Sequence, residues 1–279
     1  MIPQKNISKI SNKTFEAGGR RIPEAVIERD YCLSWFLFGL AQSPLKDKLI
    51  FKGGTALRRC YFEDYRFSED LDYTLIEEIT LDDILNGFEK IYIWVKDESG
   101  IVFANVRREP SSVNTHTFYI SYIGPLPGKE KEVKVDVTFK EKIIKPIEEK
   151  GIIKTYEEYD DFLDKPKIKV YSLDEVAIEK VCALFSPARN EPRDLYDIYH
   201  LIENERLDIT SLVHCIEDKM KFKGSSLDKK RNEFLKKEPR LKKLWEKRLS
   251  QQMASLPEYD DIFRAVKRAF RHAELLPQN

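Results

Sequence analysis

Cysteine and histidine are scarce, at four each in 279 residues. Cys32, Cys60, Cys182 and Cys215 lie far apart and form no CxxC pair. Zinc sites need three or four such ligands at short spacing, so this usage argues against one. Unpaired thiols suit a reducing cytosol. A long apolar run is also missing: "CLSWFLFGLA" is too short to span a bilayer. The opening "MIPQKNISKI" lacks the apolar centre of a signal peptide. The expectation is a cytoplasmic protein with no membrane association. There is no internal repeat and no low-complexity stretch. Net charge is absent too, with 48 Lys and Arg against 48 Asp and Glu. The balance is uneven along the chain, however. Lys219 to Arg248 holds thirteen cations and four anions, a local excess of nine, so the remainder is acidic by the same amount.

What is present reads as two parts. Pro23 before "EAVIERDYCLSWFLFGLA" predicts a helix with Pro in its first turn, over 23–42. "KLIF" predicts a short strand, broken by Gly53-Gly54, after which Thr55 can cap a helix through "ALRRCYF". "DLDYTL" alternates as a strand, and "LDDILNGFEKIYIWVKDES" reads as a helix. Three strand-like runs follow, "IVFANVRRE", "HTFYISYI" and "EVKVDVTF", the last ending near 140. This is an α+β pattern with a mixed sheet. From Ser172 onward the chain reads as about five helices. The expected domains are 1–150 and 151–279, with the join in the Lys-, Glu- and Pro-containing stretch 141–171.

Within 51–75 two anomalies coincide. Gly-Gly disrupts a strand and aspartate is depleted in strands, yet both occur here. Residues two apart in a strand share a face. Asp70, Asp72 and Thr74 therefore point one way, and Leu71, Tyr73 and Leu75 the other. In the run "VKVDVTF", Lys134, Asp136 and Thr138 share the polar face. If the two strands are neighbours, Asp70, Asp72 and Asp136 converge and repel unless a cation joins them. Oxygen-only ligands favour Mg²⁺ or Mn²⁺, as in two-metal phosphoryl and nucleotidyl transfer. The alternative is solvated carboxylates on an open sheet face. Strand, Gly-Gly, Thr and helix together also bring backbone N–H groups to a helix start, which is an anion site. Gly-Gly pairs are more often plain turns.

Lys180 lies in the middle of a helical stripe formed by Leu173, Val176, Ala177 and Leu184. It either snorkels to solvent or enters a cleft to meet an anion. Arg193 and Asp197 are four apart, on the face opposite Leu195, Ile198 and Ile202, which suits an ordinary helical ion pair. The basic segment interleaves its cations with Phe222, Phe234 and Trp245. That pattern fits a nucleic-acid surface, or equally solvated helix faces with the aromatics inside.

"FKGGTALRRCY…RFSEDLDYTL" with "LDEVAIEKVCALFSPARNEPRDLYDIYHL" resembles the AbiEii/AbiGii toxin-like nucleotidyltransferases, a branch of the DNA polymerase β-like superfamily. The two blocks frame most of residues 50–204. The resemblance implies a polymerase β-like domain followed by a helical one. It sets Lys52, Gly53, Gly54, Thr55, Arg66, Ser68, Lys180 and Arg193 on the NTP. It sets Asp70 and Asp72, with Asp136 as third carboxylate, on Mg²⁺ or Mn²⁺. It makes Asp70, Asp72, Lys180, Asp194 and Asp197 the catalytic set. Members resemble toxins of toxin–antitoxin pairs, and some transfer nucleotides to the 3′ end of tRNA. The implied partners are an NTP, an RNA acceptor and a cognate antitoxin protein. Rival readings keep the site with a protein or aminoglycoside-like acceptor, or make the chain a non-catalytic nucleotide- or RNA-binding module.

Overall fold

The structure, a computed structural model, describes residues 1–162 and 166–277. The chain divides into two compact units. The first holds Met1–Glu141, Ile147–Tyr171 and Gln251–Ala254; the second holds Lys142–Pro146, Ser172–Ser250 and Ser255 onward.

In the first unit α1 (Gln4–Glu16) and α2 (Glu24–Gln42) precede β1 (Leu49–Lys52). A four-residue helix, α3 (Gly53–Ala56), runs on into a π turn, Leu57–Tyr61. Then follow β2 (Leu71–Leu75), α4 (Leu81–Ser99), β3 (Val102–Arg108), β4 (Thr115–Ile123), β5 (Lys131–Thr138), β6 (Ile147–Gly151) and β7 (Lys167–Tyr171). Among the described residues the strands form one seven-stranded sheet in the order β3-β4-β5-β2-β1-β7-β6. The β2–β5 and β1–β7 pairs are parallel and the others antiparallel.

α2 is buried nearly all round from Tyr31 to Ala41, so it is the central helix of the core. Trp35, Phe36 and Phe38 pack there against Phe88, Trp94, Phe103 and Phe162. α4 starts with a reciprocal Thr80–Asp83 cap and ends at left-handed Gly100 (φ 78°). Asp30 holds two buried cations, Arg58 at 2.6 Å and Arg59 at 2.9 Å, which ties α2 to the π turn.

The second unit holds α5 (Leu173–Phe185), α6 (Pro192–Glu203), a 3₁₀ turn (Ile209–Leu212) leading into α7 (Val213–Phe222), α8 (Leu227–Lys230), α9 (Glu233–Lys236), α10 (Glu238–Leu249) and α11 (Tyr259–His272). Buried Glu175 on α5 accepts the N–H groups of Ile144 (2.9 Å) and Lys145 (2.8 Å). Buried Lys219 donates to Glu175 (2.9 Å) and to the Lys142 carbonyl (2.6 Å). Those bonds hold 142–146 to the second unit.

Three expectations are corrected. The division at residue 150 moves, because β6 and β7 in the stretch read as a linker are paired strands of the sheet. Seven α-helices, not about five, follow Ser172 among the described residues, since the chain breaks into the short α8 and α9. Thr55 does not cap a helix: the helix starts at Gly53, and the Thr55 hydroxyl donates to the Asp70 carbonyl (2.5 Å).

Candidate active site

β1 and β2 run antiparallel and β2 lies parallel to β5. The register sets Lys52 beside Asp72 on one side and Asp136 beside Asp72 on the other. Asp72 and Asp136 are half-exposed on one face, while Leu71, Tyr73, Val135 and Val137 are buried on the other. Thr74 lies two residues on from Asp72, and its hydroxyl meets the Tyr171 hydroxyl at 2.6 Å. The Lys52 ammonium donates to the Thr138 hydroxyl (3.3 Å) and stands 5.5 Å from the centre of the Tyr171 ring.

The glycines are needed for different reasons. Gly53 has φ 77°, and a Cβ on it would collide with the Asp72 carboxylate. A Cβ on Gly54 would sit 2.6 Å from an Arg66 guanidinium nitrogen and 3.0 Å from the Ser68 hydroxyl. Gly53 therefore lets the acidic strand approach the turn, and Gly54 makes room for Arg66 and Ser68. Arg66 is buried, and its guanidinium reaches the Phe67 carbonyl and the Gln252 side chain. No side chain caps the start of α3.

A protein cation already stands among the carboxylates. Lys134 donates to Asp136 Oδ2 at 2.6 Å, and the Thr117 hydroxyl donates to Asp136 Oδ1 at 2.6 Å. Burial works against the Lys134 ammonium. The bond to Asp136 and the charges of Asp136, Asp70 and Asp72 nevertheless hold its pKa above the ordinary value. Among the described residues no group of three or more Asp, Glu, His or Cys side chains is gathered as a metal site, and both Asp136 oxygens accept hydrogen bonds from Lys134 and Thr117. Asp70 precedes β2, which begins at Leu71. The donor chemistry still fits a hard divalent cation: Asp72 and Asp136 pair on adjacent strands, and together with Asp70 their field already selects a positive charge at Lys134.

The other expected residues lie in the second unit. Lys180 is buried, and its ammonium binds Asp194 at 2.7 Å and Asp197 at 2.8 Å. It does not snorkel; the anions it meets come from α6. Asp197 is not on a solvent face opposite the apolar residues but fully buried. Its four-residue pair with Arg193 gives way to Lys180, and Arg193 lies 3.7 Å from Glu191 instead. Arg189 reaches Asp194 at 2.5 Å. Burial alone would raise the Asp194 carboxyl; Lys180 and Arg189 outweigh that and hold it below the usual carboxylate range.

The sequence profile described as "Nucleotidyl transferase AbiEii toxin, Type IV TA system" matches residues 35–271. The chain belongs to the AbiEii nucleotidyltransferase toxin family. Among solved structures it is similar to JHP933 from Helicobacter pylori, at 16% identity and TM-score 0.58, covering 90% of this chain and 93% of that one. It is similar also to MenT4, a nucleotidyltransferase toxin from Mycobacterium tuberculosis H37Rv, at 16% identity and TM-score 0.59, covering 97% and 90%. Among curated protein sequences nothing matches. This AbiEii chain is a nucleotidyltransferase of mixed α/β fold. No described helix is long and apolar enough to cross a membrane.

The basic segment of the AbiEii chain is less uniform than its composition suggests. Lys219 and Lys237 are buried, and Lys237 donates to the carbonyls of Ala183 (3.2 Å) and Leu184 (2.6 Å) in the last turn of α5. Phe234 and Trp245 are core residues, and Trp245 donates to the Pro257 carbonyl. Phe222 alone of the three aromatics is exposed. Lys134 and Arg189 are the charged groups whose roles escaped the sequence reading. Strand periodicity had put Lys134 on the face of Asp136, a usable signal. Arg189 sits in a loop and gave none.

Proposed function

We propose that the protein transfers a nucleotide from an NTP to an acceptor hydroxyl on RNA, a tRNA 3′ end first, and that it is the toxin of a pair with a cognate antitoxin. One observation supports this most: Asp72 on the acidic strand stands against Gly53, where any side chain would exclude it. Phosphate-binding backbone and metal-binding carboxylate are thereby built as one piece. In this reading the acceptor oxygen attacks the α-phosphorus in line, the O–P bond forms, and the bond to pyrophosphate breaks. The N–H groups of Gly53, Gly54 and Thr55, with Lys52, hold the triphosphate. Arg66 and Ser68, buried behind Gly54, keep that turn in place. Mg²⁺ or Mn²⁺ held by Asp70 and Asp72, with Asp136 beside them, would acidify the hydroxyl and steady the leaving pyrophosphate. The remaining contribution is positioning and preorganised charge. Lys180, Asp194 and Asp197 enter as a buried clasp of the second unit.

The test is incubation with each labelled NTP, Mg²⁺ and total RNA, with Asp70→Asn and Asp72→Asn as controls. Label should enter RNA only with the wild-type protein. Label in protein alone would move the protein-acceptor reading ahead. Full transfer by both variants would refute the carboxylate assignment.

A further inference from the structure

The segment Gln251–Ala254 lies between α10, which ends at Leu249, and α11, which begins at Tyr259, yet it is built into the first unit. It is gripped at two points. The Gln252 carbonyl accepts the Phe67 N–H at 2.7 Å, and the Ala254 carbonyl accepts the Arg20 N–H at 2.6 Å. Beside the second point stands Gly19, where a Cβ would lie 2.8 Å from that of Ala254. The Gln252 side chain is itself 6% exposed. Burying an amide costs free energy unless it finds a partner. The Gln252 side-chain oxygen accepts from the Arg66 guanidinium at 3.4 Å.

Residues 62–70, between the π turn and β2, form neither helix nor strand, so no ladder of backbone bonds fixes them. Near one end Arg58 donates to the Tyr65 carbonyl, and at the other the Thr55 hydroxyl donates to the Asp70 carbonyl. Both donors belong to α3 and the π turn, the very element that the loop has to support. Gln252 holds the middle of the loop from outside that element. One terminal nitrogen of Arg66 is shared between the Phe67 carbonyl (3.3 Å) and the Gln252 oxygen (3.4 Å). The other terminal nitrogen stands 2.6 Å from where a Cβ on Gly54 would be. A planar guanidinium fork held along one edge is oriented at the other. We propose that Gln252 is a positioning residue for nucleotide binding: it fixes the outer edge of Arg66, and Arg66 sets the Gly54 backbone for the triphosphate. Gln252 touches no substrate and acts through Arg66. The assignment rests on the reading of Gly53–Thr55 as the triphosphate turn, and extends that site to a residue 186 positions along the chain from Arg66.

The experiment uses the full chain with Mg²⁺ and without RNA, and fluorescent ATP, GTP, CTP and UTP in turn as probes. Gln252→Met keeps the side-chain length and the backbone carbonyl and removes the side-chain acceptor. Affinity for the NTP should fall about tenfold, the scale of one hydrogen bond to a charged group. Gln252→Glu restores an acceptor oxygen and should bind within about twofold of wild type. In an Arg66→Met background, Gln252→Met should cost less than about twofold more, because its effect passes through Arg66. In the transfer assay the KM for the NTP should rise in Gln252→Met while affinity for RNA stays unchanged. Amide hydrogen exchange at 65–68 should quicken in the same variant. Wild-type affinity in Gln252→Met sinks the role of Gln252 and leaves the triphosphate turn standing. The full loss repeated in the Arg66→Met background overturns the proposal, as do equal losses in the Met and Glu variants. A Gln252→Met protein that is unfolded at the assay temperature makes the residue structural only and overturns it too. If wild type binds none of the four NTPs while exchange at 65–68 still quickens in Gln252→Met, the fastening stands, and the triphosphate reading falls together with the proposal.

Discussion

Replacing Lys180 with methionine is the sharpest test of what the second signature block does. On an apolar stripe that change reads as harmless, since it exchanges a cation for a chain of similar length. The structure reverses the sign. The ammonium lies 2.7 Å from Asp194 and 2.8 Å from Asp197, which are 1% and 0% exposed. Arg189 also reaches Asp194. Methionine takes one cation away from two carboxylates that are themselves fully buried. Breaking a buried pair from one side costs about 3–5 kcal/mol, a large part of a typical domain's stability. The displaced charge is relieved by protonation, so a carboxyl in the variant acquires a raised folded pKa. Such a group contributes stability below its unfolded pKa of about 3.9 and loses it as pH rises through the folded value. The deficit against wild type should therefore be full at pH 7.5 and shrink toward pH 5. Urea unfolding followed by far-ultraviolet circular dichroism reads both. Lys180→Met with Asp197→Asn removes one charge of each sign and should recover at least about half the loss. A single variant within about 0.5 kcal/mol of wild type would refute the clasp.

Gly53→Ala should cut turnover by about 100-fold or more, because the new Cβ displaces Asp72. Its stability loss should be only about 1–2 kcal/mol from the left-handed backbone. Normal kinetics in a folded Gly53→Ala protein would disconnect turn from strand. Lys134→Met removes the ammonium that competes for Asp136, so the Mg²⁺ concentration giving half-maximal rate should fall; a rise would make Lys134 a catalytic cation instead. Burial lowers the Lys237 pKa from 10.5 to about 8, against help from Asp194 and Glu233. Below pH 8 both states carry the proton and the penalty stands. Between 8 and 10.5 the unfolded state holds more protons, so stability rises with pH, by at most about 3 kcal/mol relative to Lys237→Met. Parallel stability curves for wild type and Lys237→Met over that range would refute the burial of the charge. Charge reversal at Lys236, Lys242 and Lys243, leaving buried Lys237 untouched, should flatten the salt dependence of RNA affinity without changing NTP affinity. Equal slopes would remove α9 and α10 from the RNA surface.

Where local signals agree with tertiary demands, the sequence was readable. α4 carries its own start and stop in Thr80, Asp83 and Gly100, and its limits match the periodicity. The acidic strand was legible in part: aspartate is rare in strands and Asp72 does lie on a polar face, but the strand begins at Leu71, after Asp70. β6 and β7 were not, since "IEEKG" and "KIKVY" are rich in Lys and Glu, as suits β6 at the sheet edge, while β7 beside it lies inside the sheet between β1 and β6. α1 was missed because little beyond Ile7 and Ile10 is buried on it. The partners of Lys180 were beyond reach on different grounds. Helical spacing predicts who is near on one helix, and Arg193 with Asp197 satisfied it. Burial of the Asp197 face against α5 is a matter of packing between helices, and the nearer cation lost. Gly54 likewise reads as half of a turn until Arg66, twelve residues on, is seen to need its missing Cβ.

The segment Gln251–Ala254 that returns to the first unit has a consequence for the order in which a ribosome makes this enzyme. The N–H of Phe67 is held by the Gln252 carbonyl at 2.7 Å, and Arg66 touches the Gln252 side chain. The loop that carries Arg66 and Ser68 into the space behind Gly54 is thus fastened by a residue much later in the chain. Domains made early usually fold early, as they emerge. Here the candidate nucleotide-binding turn waits until residue 252 has been synthesised, after α5 to α10. A chain cut short between the second signature block and residue 252 carries every candidate catalytic carboxylate and lacks the fastening. Such truncated chains should show little or no nucleotidyl transfer in the labelled-NTP assay.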